Sequence, residues 1–413
     1  MAKKNQNQDL ATTWTIDSSN DTYTLAKSAK ITTAGESAIE VLAGANNNTI
    51  MLKGDVEATD AMNAVSILGN GVHLVVARTS DIDGDQSNNG IVANGTDFSM
   101  VNAGSVSGKS YGLVTGDYAD IRNTGDIWSA QVAIGAGEGF NFRNSGEVNG
   151  EVYGILADAE GAVVRNLDGG VIGASTGIAF TGEGASVIKN AGYIMGVTAI
   201  SDGAGETTII NKGLITGNVN LGAGDDVFNT RNGDYKGIVN GGDGDDLYII
   251  GKSNTQIVEQ PGFGYDKVRS TASFTLGENL EDLTLLGGKN ANATGNEGSN
   301  VLTGNKGDNI LNGLGGDDYL KGGKGDDTLF GGAGQDMFDF RKGSGRDVVE
   351  DFTNGEDIIF TPFANDGPEI ADLIANHAVE KNGGVMISYG EDSIFLKGMT
   401  MNQLDETDFF SGL

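Results

Sequence analysis

The sequence of 413 residues has no cysteine, three prolines and only two histidines. Without thiols there is neither a disulfide framework nor a thiolate zinc site. The histidines, His73 in GVHLVV and His377 in ANHAVE, leave little for general-base chemistry, and His73 reads as a packed residue of an apolar run. Cationic residues are also scarce: 26 Lys and Arg stand against 57 Asp and Glu, a formal net charge of −31. That balance argues against nucleic acid as a partner and for a chain that repels itself until cations arrive. No apolar run is long enough to cross a bilayer. The opening MAKKNQNQDLATTW has two lysines with no apolar stretch behind them, unlike a conventional signal peptide. Taken alone it predicts a cytoplasmic protein, an expectation that the C-terminal residues reverse. Disorder is not expected, because 38% of residues are apolar and recur in a pattern.

Glycine is what the chain has in abundance, 67 residues of it, and its densest pattern lies at 295–339. Five frames of nine follow without a gap: GNEGSNVLT, GNKGDNILN, GLGGDDYLK, GGKGDDTLF and GGAGQDMFD. Each fits G-G-x-G-x-D-x-U-x, with Asp or Asn sixth and Leu302, Leu311, Leu320, Leu329 or Phe338 eighth. This is the calcium-binding β-roll repeat: six residues turn and three form a short strand with one inward apolar side chain. Two frames make a coil, so residues eighteen apart stack, with Asn300, Asp318 and Asp336 on one edge and Asn309 and Asp327 on the other. Calcium suits the turns because it takes six to eight oxygen ligands in flexible geometry. Candidate backbone ligands are the carbonyls of Gly313 and Gly315, Gly322 and Lys324, and Gly331 and Ala333. Asp318, Asp327 and Asp336 are the strongest candidate sites, followed by Asp226, Asp246 and Asp347. Asn300 and Asn309 remove charge and should weaken the first coil.

A longer period runs from about 21 to 220. VNAGSVSG, IRNTGDIWS, FRNSGEVNG, VRNLDGGVIG, IKNAGYIMG and INKGLITG place asparagines at 102, 123, 144, 166, 190 and 211, with gaps of 21, 21, 22, 24 and 21 residues. Short β-branched strands with Gly/Asn turns at this period predict a parallel β-helix, whose asparagines stack into a ladder. A leucine-rich repeat lacks its required leucine spacing here. Arg122, Arg143, Arg165 and Lys189 each precede the repeat asparagine, and Glu138, Glu160 and Glu183 recur in the Gly-rich turns before it. The two stripes are either a solvated face or a self-complementary interface that meets another subunit or an anionic glycan.

LGAGDDVFN (221–229) and GGDGDDLYI (241–249) repeat the calcium phrase twenty residues apart, and the β-helix axis is expected to continue into them. The stretch YDKVRSTASFTLGENLEDLTLLG, the nonapeptides, RKGSGRDVVEDFTNGEDIIF and the tail SIFLKGMTMNQLDETDFFSGL together resemble the RTX proteins, which Gram-negative bacteria export by type I secretion. The resemblance covers about 221–413 and departs mildly at the end, where Ser411 to Leu413 trail the Asp408-Phe409-Phe410 signature. It implies an uncleaved C-terminal signal, passage through the secretion machinery unfolded, and folding outside the cell in calcium.

The expected fold is all-β: a parallel β-helix solenoid continuing into an RTX β-roll, with a C-terminal β-rich secretion domain. Its parts are a flexible arm (1–20), the β-helix (21–220), a first short roll (221–250), a strand-rich connector (251–294), the main roll (295–340) and the C-terminal domain (341–413). No H-E-x-x-H helix, G-x-S-x-G elbow or Tyr-Gly-Phe-Asp-Pro-His epimerase signature occurs. Tyr111, Tyr153 and Tyr193 are candidate bases with nothing clustered around them. The expected function is a secreted, non-enzymatic, calcium-dependent structural protein that polymerises into a surface layer or filament. An adhesin or polysaccharide-binding module is the alternative, and an alginate epimerase-like or lyase-like glycan enzyme the weaker one.

Overall fold

The computed structural model describes residues 2–84, 88–361 and 370–410; residues 411–413, which trail the tail signature, lie outside the described residues. The chain divides into two compact units, Met1–Gly242 and Asp243–Leu413, rather than at the expected boundaries of 220 and 250. Both are built almost wholly of short parallel strands. No helix among the described residues is long and apolar enough to cross a membrane.

The first unit is a parallel β-helix with three strands per coil. One coil is Ser99–Asn102, Ser105–Gly108 and Tyr111–Thr115, and the next is Asp120–Asn123, Asp126–Ser129 and Val132–Ala136. Parallel pairing stacks Met100, Ile121, Phe142, Val164, Ile188 and Ile209 in one row and Val106, Ile127, Val148, Ile172, Ile194 and Ile215 in a second. Leu113, Ile134, Ile155, Ile178, Ile200 and Val219 form the third, and all three stacks are buried. β-Branched residues suit these rows because a pleated strand gives each side chain one face to fill. The single core is narrow, and every coil closes its neighbour's apolar surface.

The repeat asparagines form the ladder that their spacing predicts. The Nδ2 of Asn102 donates to Asn123 Oδ1 (2.8 Å), and the chain of bonds continues through Asn144, Asn166 and Asn190 to Asn211 at 2.8–3.0 Å. Each amide also serves the backbone: Asn144 Nδ2 reaches Gly146 O and Val171 O, and its Oδ1 accepts from Gly146 N. Buried amides satisfied on both sides hold the register, since a one-residue slip would strand every rung.

Residues 1–20 depart from the flexible-arm expectation. Lys3–Gln6 pairs in parallel with Thr22–Leu25, Trp14–Ile16 pairs with Ile39–Val41, and Ile16 is fully buried. The polar composition had masked a coil whose inward positions are few: Leu10 bridges to Ile31 and Trp14 packs edge-on against Tyr23.

In the second unit strands stack in two rows. One runs through Leu247–Ile250, Lys267–Ser270, Asp282–Leu285, Val301–Thr303, Tyr319–Lys321, Met337–Asp339, Ile358–Phe360 and Phe409–Phe410. The other runs through Phe274–Thr275, Asn292–Thr294, Ile310–Gly315, Thr328–Ala333, Arg346–Val349 and Asp392–Lys397. The stretch 251–294 therefore does not interrupt the stack but supplies strands to both rows. All five eighth-place residues, Leu302 to Phe338, are fully buried. An antiparallel sheet of Ala378–Lys381, Gly384–Tyr389 and Asp392–Lys397 closes one end.

Replacing Asn144 by Ala should destabilise the first unit by about 2–3 kcal/mol, because it leaves buried groups of Asn123 and Asn166 unpaired. Denaturant melts in calcium read this directly, and an unchanged midpoint would remove the ladder from the account.

Candidate metal centre

Each turn of the roll is shaped by where glycine is needed. In the frame from Gly322, Gly323 and Gly325 have φ of +106° and +119°, a region closed to most side chains. The first-place glycines serve a different need. A Cβ on Gly313 would lie 1.9 Å from Asp318 Oδ2, one on Gly322 2.3 Å from Asp327 Oδ2, and one on Gly331 2.2 Å from Asp336 Oδ2. The missing side chains thus leave room for one carboxylate oxygen in each turn. Gly331 O comes to the same place, 2.4 Å from that notional Gly313 Cβ. Of the third-place residues, Gly315 and Ala333 are in register, and Lys324 N–H donates to Asn305 O (2.9 Å).

The sixth-place acids are buried, at most 2% exposed. Oδ1 of each accepts the N–H one coil back: Asn300 to Asp318 (2.7 Å), Asn309 to Asp327 (2.7 Å) and Asp318 to Asp336 (3.0 Å). The Oδ2 atoms of Asp318, Asp327 and Asp336 are buried with no hydrogen-bond partner. A carboxylate in that state is strongly unfavourable unless a cation completes it. A negatively charged oxygen in each turn, with the Gly331 carbonyl close to that of Asp318, offers the hard donors that calcium takes. Burial accordingly pushes Asp318 up to about 7 and Asp327 up to about 6, and it also raises Asp336.

Asn300 and Asn309 occupy the same columns but need no ion. Asn300 Oδ1 accepts from Asn296 N (2.7 Å), and its Nδ2 donates to Leu280 O (3.0 Å). Asn309 does the same with Asn305 N (2.8 Å) and Ala291 O (2.7 Å). The amide N–H takes the role that a cation plays beside an aspartate.

The two columns extend beyond the nonapeptides. Asp327 N donates to Asp347 Oδ1 (3.1 Å), a step of twenty residues rather than eighteen. Asp336 N donates to Asp357 Oδ1 (3.0 Å), Asp246 N to Asp266 Oδ1 (2.9 Å) and Asp266 N to Glu281 Oε2 (2.7 Å). Burial pushes Asp347 up to about 7 and Asp357 and Asp266 up to about 6. Asp266, Glu281 and Asp357 escape a search for nonapeptides because their coils have other lengths. Their signal is an acid two residues before an inward apolar residue, as in DKV, EDL and DII. Asp246 and Asp266 also meet Glu259, three buried carboxylates with oxygens within 4.8 Å, and Tyr248 donates to Glu259. In the first unit, Asp226 accepts from Thr207 N (2.5 Å). The fifth-place acids form an outer series: Asp326 N donates to Asp308 Oδ1 (3.0 Å) and Gln335 N to Asp317 Oδ1 (2.9 Å).

The basic residues of the stripe form a row. Arg122, Arg143, Arg165 and Lys189 stand in register on adjacent strands. Arg143 pairs with Asp120 (3.2 Å), and Arg165 donates to Asn141 Oδ1 (2.6 Å). Glu138 accepts from the Tyr118 hydroxyl (2.6 Å), Glu160 O accepts from Gly139 N (2.7 Å), and Glu183 is exposed in the turn of the next coil. His73 is held by Ser99 Oγ (2.8 Å) and His377 by Ser388 O (3.1 Å), in separate units.

The RTX calcium-binding nonapeptide repeat model, four copies long, matches residues 287–320, 294–328 and 312–349. No curated protein matches the chain. Among solved structures it is similar to the extracellular lipase LipA of Serratia marcescens, at 20% identity and a TM-score of 0.27. That likeness covers 55% of this chain and 45% of the lipase, so the chain spans less than half of that protein.

Asp327→Asn should mimic Asn309: in chelator the roll gains about 1–3 kcal/mol as an unpaired buried oxygen is removed, and calorimetry in calcium counts fewer bound ions. A second expectation concerns pH. Unfolded aspartates lose protons near about 3.9, whereas the folded ones keep theirs to about 6–7. The metal-free roll therefore loses stability as pH rises from about 4 to about 7, and thermal melts in chelator should show this fall while calcium removes it.

Pattern, turn geometry and family model agree: residues 287–349 are RTX calcium-binding nonapeptide repeats, and the chain is an RTX repeat-containing protein.

Proposed function

We propose that the chain is a secreted, non-enzymatic structural protein that leaves the cell unfolded by the type I route. It folds outside on meeting calcium and assembles with copies of itself into a surface layer or filament. The observation that carries the reading is the set of buried, unpartnered carboxylate oxygens at Asp318, Asp327 and Asp336. In a cell interior poor in calcium these oppose folding, and in a calcium-rich exterior they favour it. Phe409–Phe410, in the segment that resembles the secretion signal, pairs with Ile358–Phe360, so the folded protein no longer presents it as free chain.

Assembly is supported by the cation row. Four positive side chains in register would repel one another, and two of them draw on Asp120 and Asn141 for relief. An acidic stripe on another copy would neutralise the row more fully, and a chain of net charge −31 has acid to offer. Nearly all of the described residues belong to coils and their short turns, which is the economy of a building unit.

Negative-stain electron microscopy in chelator and then in millimolar calcium tests this. Ordered sheets or filaments are expected only with calcium, and the double charge reversal Arg143→Glu, Arg165→Glu should abolish them. Surface substitutions of this kind change stability by roughly 0.5 kcal/mol or less, so circular dichroism should stay unchanged. Single particles of the unaltered protein in calcium would contradict the proposal.

A further inference from the structure

A shallow groove of about 700 Å³ runs along the third row of the β-helix, across six strands from Asn63–Ile67 to Thr176–Thr181. Its floor is the outward row Val92, Val114, Gly135 and Leu156, which parallel pairing holds in register. Gly135 is a notch in that row, and the Tyr111 ring leans over it: a Cβ at 135 would lie 2.9 Å from Tyr111 Cε1. Amides of Asn63, Asn89 and Asn94 line one end, and Asn89 Nδ2 donates to Asn63 Oδ1 (2.8 Å). Thr115 is only 5% exposed, with its hydroxyl buried on the inward face of the strand, so the amides are the polar groups offered to a ligand.

None of the residues lining the groove is an acid, a lysine, an arginine or a histidine, although charged residues make up 20% of the chain. Two carboxylates in the turns that follow these strands accept from backbone N–H groups, Asp117 from Glu138 N (3.1 Å) and Asp158 from Glu160 N (3.3 Å). An anionic polymer would find no counter-charge there and would meet the repulsion of the whole chain. A neutral partner with apolar faces and many hydroxyls matches the surface: its ring faces lie on the aliphatic floor and Tyr111, and its hydroxyls meet the amides. Strands repeat along the groove every ~4.8 Å, a step close to the length of one extended pyranose unit.

We infer that this groove is a binding site for an extended neutral polysaccharide, lying along the solenoid with one sugar per coil and Tyr111 as its aromatic platform. The site is independent of calcium-driven assembly and stands or falls separately from it.

Calorimetric titration of the full chain in calcium with cellohexaose, laminarihexaose, mannohexaose and xylohexaose tests the inference, with an oligogalacturonate as the anionic arm. At least one neutral series should bind, with affinity rising as the oligosaccharide lengthens, and the anionic arm should not. Tyr111→Ala and Val114→Glu should each weaken binding by about tenfold or more. Trp128→Ala, exposed on the adjacent row outside the groove, should leave it unchanged. Circular dichroism of the variants separates lost binding from lost fold. Failure of all four neutral series to bind, or preference for the anionic arm, overturns the inference. So does a change of oligomeric state in the groove variants with sugar binding intact, which would make a second copy the occupant.

Discussion

The carboxylate oxygens buried in the glycine turns are the constraint on which the second unit depends. A pleated stack brings each sixth-place side chain directly above the next, so Asp318, Asp336 and Asp357 follow one another at strand spacing. One oxygen of each is satisfied by a backbone N–H. The other faces a first-place glycine, and at Asp318 also the Gly331 carbonyl, a negative group left for a cation to complete. The eighth-place leucines supply a core one side chain wide, which by itself is small for the length of chain it must order. Metal binding and folding of the roll are therefore one equilibrium rather than two.

The β-helix meets the same stacking problem with neutral groups. An asparagine has a donor and an acceptor on one side chain, so each rung satisfies the next and the column is complete without an ion. Near the end of the first unit the exchange is partial. Thr207 donates its hydroxyl to Asp202 and its backbone N–H to Asp226, replacing part of what a cation would provide. Asn300 and Asn309 apply the neutral solution within the roll, next to coils that do not. The chain thus combines a solenoid that carries its own polar closure with one that borrows it from the medium.

Much of this was legible in the sequence because periodicity and chemistry coincide. Asparagines 21–24 residues apart stack at every coil from Asn102 to Asn211, and glycines in fixed frames place Asp318, Asp327 and Asp336 without reference to any other residue. Where period and chemistry separate, the signal fails. Asp266, Glu281 and Asp357 belong to the same columns, but their coils are stretched or shortened by loops, and register is carried by strands rather than by a count of residues. Glu259 reaches Asp246 and Asp266 across a turn, a proximity that no linear spacing encodes. The N-terminal coil was hidden by polar residues on its outward face, its few inward positions being too sparse to register as a repeat. The groove on the third row is invisible for a related reason: Tyr111, Gly135 and Leu156 are neighbours only once the coils are stacked.

Hydrogen exchange of the full chain at neutral pH, in chelator and in calcium, tests the central claim most directly. The account predicts that backbone amides of the asparagine-ladder coils, residues 102–211, are protected under both conditions, while those of residues 310–349 gain protection only with calcium. Equal protection of residues 310–349 in chelator would mean that the buried carboxylates need no cation, and would contradict the account.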